Sequence, residues 1–330
     1  MLTLLLLVAA TATGTLPPLT PVNTTPALGS GSGVTQFTFY VAGDNRPDKG
    51  NAPSAGFTAL IAAMQKGAPA PAFVLWGGDV IKGKKSSDAK TQYPLVLPYF
   101  AQLKVPVFNV PGNHELSKKG SGNCNDAPDP DGKLLADYTK YLASQPYGTF
   151  RYGNSAFIAV NTEDSLGSVA PPSGCFNGFV GATQLSQLQA TLAALQNDPS
   201  VQNIFLVMHR PVRDDNSHQM QPDPVDQNTA YGKQVIAFTT AVNALANGKV
   251  AYVFASHDHR YYQATAGGAG TTGFLVTGGA GAPLSGCDKG GTGRPGAYYH
   301  YLQVTVNGTN VTVTVVPLTN TTLCGAAPGS

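Results

Sequence analysis

One short segment limits what this chain of 330 residues can fold into. An apolar run at residues 105–110 leads directly into Pro111-Gly112-Asn113-His114-Glu115. Proline and glycine end a strand and turn the backbone, and open α/β sheets place reactive groups at the carboxyl ends of their strands. A polar turn without chemical function explains this segment equally well, because Asn, Gly and Pro are common turn residues.

The rest of the chain favours a chemical function. Predicted apolar strands at residues 36–42, 72–76, 204–208 and 250–255 are followed by Asp44, Asp79, His209 and the pair His257 and His259, respectively. Carboxylate and amide oxygens with neutral imidazoles form a mixed ligand set that suits divalent Zn, Mn or Fe. The chain has 6 His, and most of them stand at these junctions. The pattern therefore predicts a metal site.

The strands alternate with predicted helices, at residues 54–66, 93–103, 134–142, 183–195 and 230–246. Ser54 is the expected N-cap of the first helix, and Asn307-Gly308 is typical of a hairpin turn. Strands alternating with helices indicate a layered α/β fold.

Composition narrows the possible partners. Charged residues make up 12% of the chain and the net charge is +2, so no strong field points to a nucleic acid polymer or an anionic membrane. No protein partner is identifiable. Glycine (38) and proline (25) are abundant, and three polar loops, at residues 118–132, 167–178 and 213–228, are candidates to cover the site.

The first residues predict export. Residues 1–12 are interpreted as a signal peptide whose apolar run is too short to span a bilayer, although no Lys or Arg precedes it. We expect a flexible leader at residues 13–33, a single domain at 34–325 and a tail at 326–330. The expected location is secreted or periplasmic.

The even number of cysteines, 4, agrees with an exported protein that has two disulfides. Three pairings are possible. We favour Cys124–Cys175 and Cys287–Cys324, because each would cross-link loop-rich sequence within one half of the chain.

From Gly43 to His259, the motifs resemble those of the calcineurin-like metallophosphoesterase superfamily. Its blocks are Asp-x-His, Gly-Asp, Gly-Asn-His-Asp/Glu, a lone His and Gly-His-x-His, and they occur here in that order. The resemblance implies a four-layer α/β sandwich with two central mixed β-sheets flanked by helices. It also implies an exported hydrolase of phosphate mono- or diesters, with two divalent ions or a single one.

The resemblance also implies roles for individual residues. The first metal would bind Asp44, Asp79 and His259, and the second would bind Asp79, Asn113, His209 and His257. Two such ions lower the pKa of a water that attacks phosphorus in line. His114 would assist the leaving group by protonating it or stabilising its charge, and Asn113 would also face the substrate.

The chain departs from the family pattern at Arg46, where the first block has a histidine. A guanidinium has no lone pair for a metal, so the first site gains a water, binds weakly, or uses Arg46 as its positive charge. We hypothesise that Arg46 clamps a phosphate oxygen, which suits its fork geometry. Ser256 replaces a glycine, and Lys82 stands where purple acid phosphatases have a Tyr ligand, which argues against an iron–tyrosinate centre.

Other polar residues carry weaker expectations. We expect Lys82, Lys84 and Lys85 on a solvated loop, His218 on the surface, Asp258 turned away from the metals and His300 in a structural role, with Arg210 and Arg213 as candidate substrate contacts. Two other functions remain open. One is a catalytically impaired phosphate- or nucleotide-binding protein with a first metal site weakened by Arg46, and the other is an adhesion domain with structural metals. Substrate identity and mono- or diester preference are not predicted.

Overall fold

Two β-sheets stacked face to face form the centre of the computed structural model, which describes residues 14–166, 169–245, 248–268, 270–287 and 292–318. The first sheet has the spatial order β13 (Asn310–Pro317), β12 (His300–Asn307), β1 (Gln36–Ala42), β2 (Val74–Trp76) and β3 (Val107–Asn109). The second has the order β10 (Tyr261–Thr265), β11 (Gly273–Thr277), β9 (Val250–Ala255), β8 (Asn203–Met208), β7 (Ser155–Val160) and β6 (Gly148–Tyr152). Both sheets are mixed, because β1 to β3 and β7, β8, β9 and β11 run parallel whereas their outer neighbours pair antiparallel.

Helices cover the outer face of each sheet. The helices are α1 (Ala55–Lys66), α2 (Ser86–Gln102), α3 (Asn113–Leu116), α4 (Lys133–Tyr141), α5 (Ala182–Asn197) and α6 (Ala230–Asn243). Apolar side chains of α1, α2 and α4 pack on the first sheet and those of α5 and α6 pack on the second. The predicted four-layer sandwich is confirmed. None of the helices in the described ranges combines the length and the apolar character that a membrane span needs.

The layer between the sheets is rich in phenylalanine. Phe39 stacks on Phe73 and meets Phe157 and Phe205 edge to face, with ring centroids 5.0–5.3 Å apart. Aromatic pairs in these geometries stabilise a core beyond the area that they bury. This packing fixes the two sheets against each other, so that the carboxyl ends of β1, β2, β8 and β9 meet at one edge.

Several predicted elements are confirmed with small shifts. Ser54 caps α1 by accepting a hydrogen bond from the Phe57 N–H at 3.1 Å, and Asn307 pairs with Asn310 across the hairpin. Helix α2 begins at Ser86, seven residues before the predicted start. Its buried residues Ala89 and Tyr93 pack in the outer core, which offsets the hydrogen bonds that Pro94 and Pro98 cannot donate.

The segment expected to be a flexible leader is packed against the domain from residue 14 onward. Leu16, Leu19 and Val22 are buried. The Leu19 N–H donates to Thr149 of β6, and the Val22 N–H donates to Val107 of β3. The segment therefore lies along the edge strands of both sheets. These three apolar residues anchor the segment. The prediction of a flexible leader relies on the overall Thr- and Pro-rich composition and does not consider the three residues individually.

Several predictions for the chain termini lie outside the described residues. These are the signal peptide at 1–12, the tail at 326–330 and Cys324, and therefore the predicted pair Cys287–Cys324. The other predicted disulfide, Cys124–Cys175, is confirmed. Loop 118–132, which contains Cys124, also forms a short hairpin between β4 (Lys118–Lys119) and β5 (Asp126–Ala127).

Candidate metal centre

The six predicted metal ligands lie together where the central strands end. One group contains Asp44, Asp79 and His259, whose ligand atoms all lie within 4.8 Å of one another. The other group is centred on His209. Its Nε2 is 2.9 Å from Asn113 Oδ1, 3.1 Å from His257 Nδ1 and 3.4 Å from Asp79 Oδ1. Asp79 therefore belongs to both groups.

The backbone of this cluster is strained at three of the six residues. Asp44, Asp79 and His257 have φ values of 64°, 52° and 72°, in the left-handed region that non-glycine residues seldom adopt. Such conformations concentrate at functional sites, where surrounding contacts hold them in place. Here the Asp44 N–H donates to Gly78 at 3.0 Å, and the His257 N–H donates to Asp44 Oδ2 at 2.8 Å.

Glu115 holds the third of these strained residues, Asp79, in place. Its buried carboxylate accepts hydrogen bonds from the N–H groups of Asp79, Val80, Ile81 and Gly112, at 2.7–3.2 Å. Burial and the neighbouring Asp79 raise the pKa of Glu115 to about 8, while these N–H donors act in the opposite direction. The carboxylate of the Asn-His-Glu motif therefore positions the Asp79 turn rather than the substrate.

Two of the histidines present a free lone pair to the cluster. His209 Nδ1 is 2.8 Å from the Gly77 carbonyl and His259 Nδ1 is 2.6 Å from the Pro283 carbonyl. A carbonyl only accepts, so each Nδ1 carries the proton and each Nε2 is left as an acceptor. Burial lowers the pKa of both histidines to about 3, so they are neutral ligands near pH 7.

Asp126 fixes which way the Asn113 amide faces. The Asn113 Nδ2 donates to both carboxylate oxygens of Asp126 at 3.1 Å, which directs Oδ1 toward His209. Lys84 Nζ also contacts this carboxylate, and Arg210 Nη2 donates to it at 2.8 Å. Asp126 is buried. Sequence reasoning missed this residue, because nothing in a Gly/Asp/Pro loop distinguishes it from its solvated neighbours.

Arg210 lies between this carboxylate and the metal cluster. Its Nε donates to Glu163 at 2.6 Å, and its Nη1 is 3.2 Å from His257 Nε2. Because a guanidinium only donates, His257 Nε2 accepts here and the proton lies on Nδ1, toward Asn113. Binding a metal through Nδ1 would move that proton to Nε2 and turn Arg210 Nη1 away from His257.

The cluster forms the floor of a cleft of about 360 Å³. Every described residue that lines it is polar or charged: Arg46, Asp79, Lys84, Asn113, His114, Asn125, Asp126, Asn177, Arg210, Ser217, His218, His257 and His259. His114 donates from Nδ1 to the Lys82 carbonyl at 2.5 Å, and its Nε2 is 3.9 Å from Asp79 Oδ2. Burial, Arg46 and Lys84 hold the pKa of His114 well below its ordinary value.

Two residues that were expected on the surface line this cleft. Lys84 is 17% exposed and ion-paired with Asp126 rather than solvated, although Lys85 is exposed. The His218 ring is 5.2 Å from the His257 ring. Tertiary contacts bring both into the cleft, and their local sequence carries no sign of this.

Asp258, His300 and the two candidate arginines lie in different parts of the structure. Asp258 turns away from the metal cluster and is buried, accepting from Arg260, Asn216 and Ser285. His300 is buried and bonds to Tyr298 and Thr277, which agrees with a structural role. Arg213 lies outside the cleft and stacks on Phe274 at 3.9 Å. Of the two candidate arginines, only Arg210 reaches the cleft.

The donor set fits divalent cations. Asp44 Oδ1 is buried and has no hydrogen-bond partner among the described residues. Burial and the neighbouring Asp79 carboxylate raise the pKa of Asp44 well above its ordinary value. A buried carboxylate oxygen without a donor is costly, and a cation would remove that cost.

The four-layer α/β sandwich and the polar cleft at its strand ends are the features by which this chain can be compared with known protein families. A family model described as calcineurin-like phosphoesterase matches residues 37–261. The chain therefore belongs to the calcineurin-like phosphoesterase family, as its motifs predict. No curated protein matches the chain.

Solved structures share the fold at low identity. Purple acid phosphatase PPD1 from yellow lupin (Lupinus luteus) seeds is 14% identical, with a TM-score of 0.58 over 86% of this chain and 51% of its own. The chain thus spans about half the length of the lupin enzyme. A dimetal phosphatase from Danio rerio is 16% identical, with a TM-score of 0.53 over 85% of this chain and 96% of its own. GAP50, the anchor in the inner membrane complex of Plasmodium, is 14% identical, with a TM-score of 0.52 over 88% of this chain and 87% of its own.

Proposed function

We propose that the protein is an exported, metal-dependent hydrolase of phosphate esters. One observation carries the proposal: three acceptors, His209 Nε2, Asn113 Oδ1 and Asp79 Oδ1, converge, with the last two 2.9 and 3.4 Å from the first. Here the His257 Nδ1–H lies 3.1 Å from both Asn113 Oδ1 and His209 Nε2, and a divalent cation would take the place of this proton and accept all three lone pairs. The disulfide Cys124–Cys175 is compatible with a location outside the cytoplasm.

The residues divide between two ion sites that share Asp79. Asn113, His209 and His257 would complete one site, and Asp44 and His259 the other. The site with Asn113 is the better formed, because it offers four protein ligands and Asp126 fixes the Asn113 amide. The site with Asp44 has Arg46 where the family pattern has a histidine, so we expect it to bind its ion more weakly.

Hydrolysis requires a water oxygen to bond to phosphorus while the bond from phosphorus to the leaving oxygen breaks. The leaving alcohol departs with a proton from the water, and phosphate remains. Bound divalent ions lower the pKa of a water and draw charge from the phosphoryl oxygens. His114 lines the cleft and donates from Nδ1 to the Lys82 carbonyl, so Nε2 of the neutral ring is an acceptor. It would assist the leaving oxygen only after taking a proton, and the attacking water releases one.

Arg46 is the cation best placed to hold the phosphate. Its Nε is buried without a hydrogen-bond partner among the described residues and is 3.6 Å from Asp79 Oδ2. Lys84 and Arg210 are ion-paired with Asp126, whereas the Arg46 fork has spare donors that match a phosphate oxygen pair. We expect Arg46→Lys to weaken inhibition by inorganic phosphate, and unchanged inhibition would exclude the clamp.

The test of the proposed function is hydrolysis of an aryl phosphate monoester and diester by metal-stripped protein. Mn²⁺, Zn²⁺, Fe²⁺ or no metal is added back, and Asp79→Asn is compared with Asp48→Asn, an exposed carboxylate four residues after Asp44. We expect turnover that needs metal, falls at least a thousandfold in Asp79→Asn and persists in Asp48→Asn. Turnover that is independent of metal and of Asp79 would contradict the proposal.

Arg46 also supports a second candidate function, a catalytically impaired protein that binds phosphate or a nucleotide. The fold does not decide between the two, because it occurs both in phosphatases and in a Plasmodium anchor protein. Tight phosphate binding by metal-loaded protein without turnover of either ester would favour this candidate. Recovery of turnover in Arg46→His would then identify Arg46 as the cause.

A further inference from the structure

We propose that the cleft beside the metal centre is a subsite for a polyhydroxylated leaving group. The substrate would then be the phosphate monoester of a small polyol or sugar. This inference rests on the proposed function and adds the substrate class to it. It rests on three observations: the polar lining of the cleft, two side-chain amides without hydrogen-bond partners among the described residues, and the disulfide that joins the segments carrying these amides.

The cleft walls suit hydroxyl groups better than apolar ones. Among the described lining residues none is aliphatic, and histidine supplies the only rings. Ligand sites for aromatic or apolar groups are lined mainly by hydrophobic and aromatic side chains, and bases stack on aromatic rings. A nucleobase or an aryl group would therefore find little to pack against here. A volume of about 360 Å³ is at the lower end for small-molecule sites.

Asn125 and Asn177 provide the hydrogen-bonding groups. Both line the cleft, and neither side-chain amide has a hydrogen-bond partner among the described residues, although Asn177 donates its backbone N–H to Tyr231. Each amide offers both a donor and an acceptor, which is the pairing that a hydroxyl needs. Other asparagines near the site, such as Asn113, are already committed to protein partners.

The disulfide holds together the two segments that carry these amides. Asn125 directly follows Cys124 and Asn177 is two residues after Cys175, so the Cys124–Cys175 bond joins the segments that carry them. The Phe176 N–H also donates to the Asp126 carbonyl at 3.1 Å. Because the backbone of both segments is held before the ligand arrives, binding has to order only the two side chains.

A second loop of the cleft is held by buried charge. It carries Ser217 and His218 and is tied to Arg260, which is 1% exposed and ion-paired with Asp214, Asp215 and Asp258. Asn216 of the same loop also donates to Asp258. Ser217 therefore lines the cleft from an anchored loop.

The cations around the cleft favour a monoester over a diester. Arg46, Lys84 and Arg210 all line it, and a phosphate monoester carries about two negative charges near pH 7 whereas a diester carries one. The carboxylates of Asp79 and Asp126 offset two of these three charges, so the monoester gains more from the net positive charge that remains and from cations bound at the metal centre.

The test uses two esters that share a six-carbon chain, sorbitol 6-phosphate and hexyl phosphate. The kcat/KM ratio of the first to the second is measured for the wild type, for Asn125→Ala/Asn177→Ala and for Asn123→Ala, an exposed asparagine on the same loop that does not line the cleft. We expect the ratio to fall at least tenfold in the double variant and to stay within twofold of the wild-type value in Asn123→Ala. An equal ratio in all three proteins would overturn the subsite.

The experiment separates the two proposals. Hydrolysis of both esters with an unchanged ratio removes the subsite and leaves the proposed function standing. If neither these two esters nor the aryl esters are hydrolysed by metal-loaded protein, the proposed function fails. The subsite is then tested by calorimetric binding of the same two esters to metal-loaded protein: tighter binding of sorbitol 6-phosphate that is lost in the double variant supports it, and equal binding overturns it.

Discussion

The floor and the walls of the cleft are built in different ways. The floor consists of the six candidate ligands, Asp44, Asp79, Asn113, His209, His257 and His259, and backbone hydrogen bonds at strand ends hold it. The walls carry Asn125 and Asn177 on segments joined by a disulfide, and Ser217 and His218 on a loop held by the Arg260 ion pairs. The comparison teaches that the candidate metal ligands and the proposed recognition surface are anchored separately.

The largest effect is expected from removing the support of the floor. Glu115→Ala leaves four buried N–H groups without their acceptor. Each unsatisfied group costs about 1–3 kcal/mol, so we expect the free energy of unfolding to fall by at least about 4 kcal/mol and metal affinity to fall with it. Chemical denaturation and metal titration measure both. A loss no larger than that of Asp48→Ala would show that Glu115 does not hold the floor.

Removing the wall cross-link is expected to have the next largest effect. The disulfide closes a loop with a sequence separation of 51, and Cys124→Ser/Cys175→Ser should lower the free energy of unfolding by about 2–4 kcal/mol. Metal affinity should change less than it does in Glu115→Ala, because the bond joins walls rather than floor. A larger loss of metal affinity in the cysteine variant than in Glu115→Ala would refute the separation of the two regions.

Asp126 is the link between the regions, because it contacts Asn113 in the floor and both Lys84 and Arg210 in the wall. In Asp126→Ala the Asn113 amide can rotate, and we expect metal affinity to fall about 10- to 100-fold, the usual effect of losing a group that orients a ligand. Asp131→Ala on the same loop, an exposed residue, is the matched control. Equal affinities for the two variants in calorimetry would exclude this positioning role.

The smallest expected effect is a pH dependence of stability that comes from Asp214, on the loop that carries Ser217 and His218. Burial and Asp258 raise the pKa of Asp214 to about 6, above about 3.9 in an unfolded chain. The native state therefore keeps a proton that the unfolded state releases between pH 4 and 6, and stability from this group falls as pH rises through that window. After solvent screening the contribution is below about 1 kcal/mol.

Comparing wild type with Asp214→Asn by denaturation at pH 4 and pH 6.5 isolates this contribution, because all other titrating groups cancel in the difference. The wild type should lose more stability over this interval than the variant does. Identical pH dependence in the two proteins would show that Asp214 titrates normally in the folded state.

The sequence predicts the floor far better than the walls. Each floor residue follows an apolar strand, and parallel strands end at a common edge, so local pattern alone brings Asp44, Asp79 and His209 together. Lys84 and His218 reach the cleft through contacts with residues 42 and 40 positions away, Asp126 and Asp258. No local pattern encodes such contacts, and both residues were therefore expected on the surface.

The same distinction explains the misjudged leader. The strands and helices of the sandwich have a hydrophobic periodicity that can be read from the sequence. Leu16, Leu19 and Val22 instead follow an irregular path, and their anchors on β6 and β3 lie far along the chain. A composition rich in Thr, Pro and Gly favours a flexible linker when these three residues are not weighed individually.

The central claim is that the floor binds divalent metal through Asp79 and its neighbours. Anomalous X-ray diffraction from crystals grown with Mn²⁺ or Zn²⁺ tests it most directly. We expect one anomalous peak in contact with Asp79, Asn113, His209 and His257, and a weaker one in contact with Asp79, Asp44 and His259. The absence of a peak at both positions, with millimolar metal in the crystal, would contradict the claim.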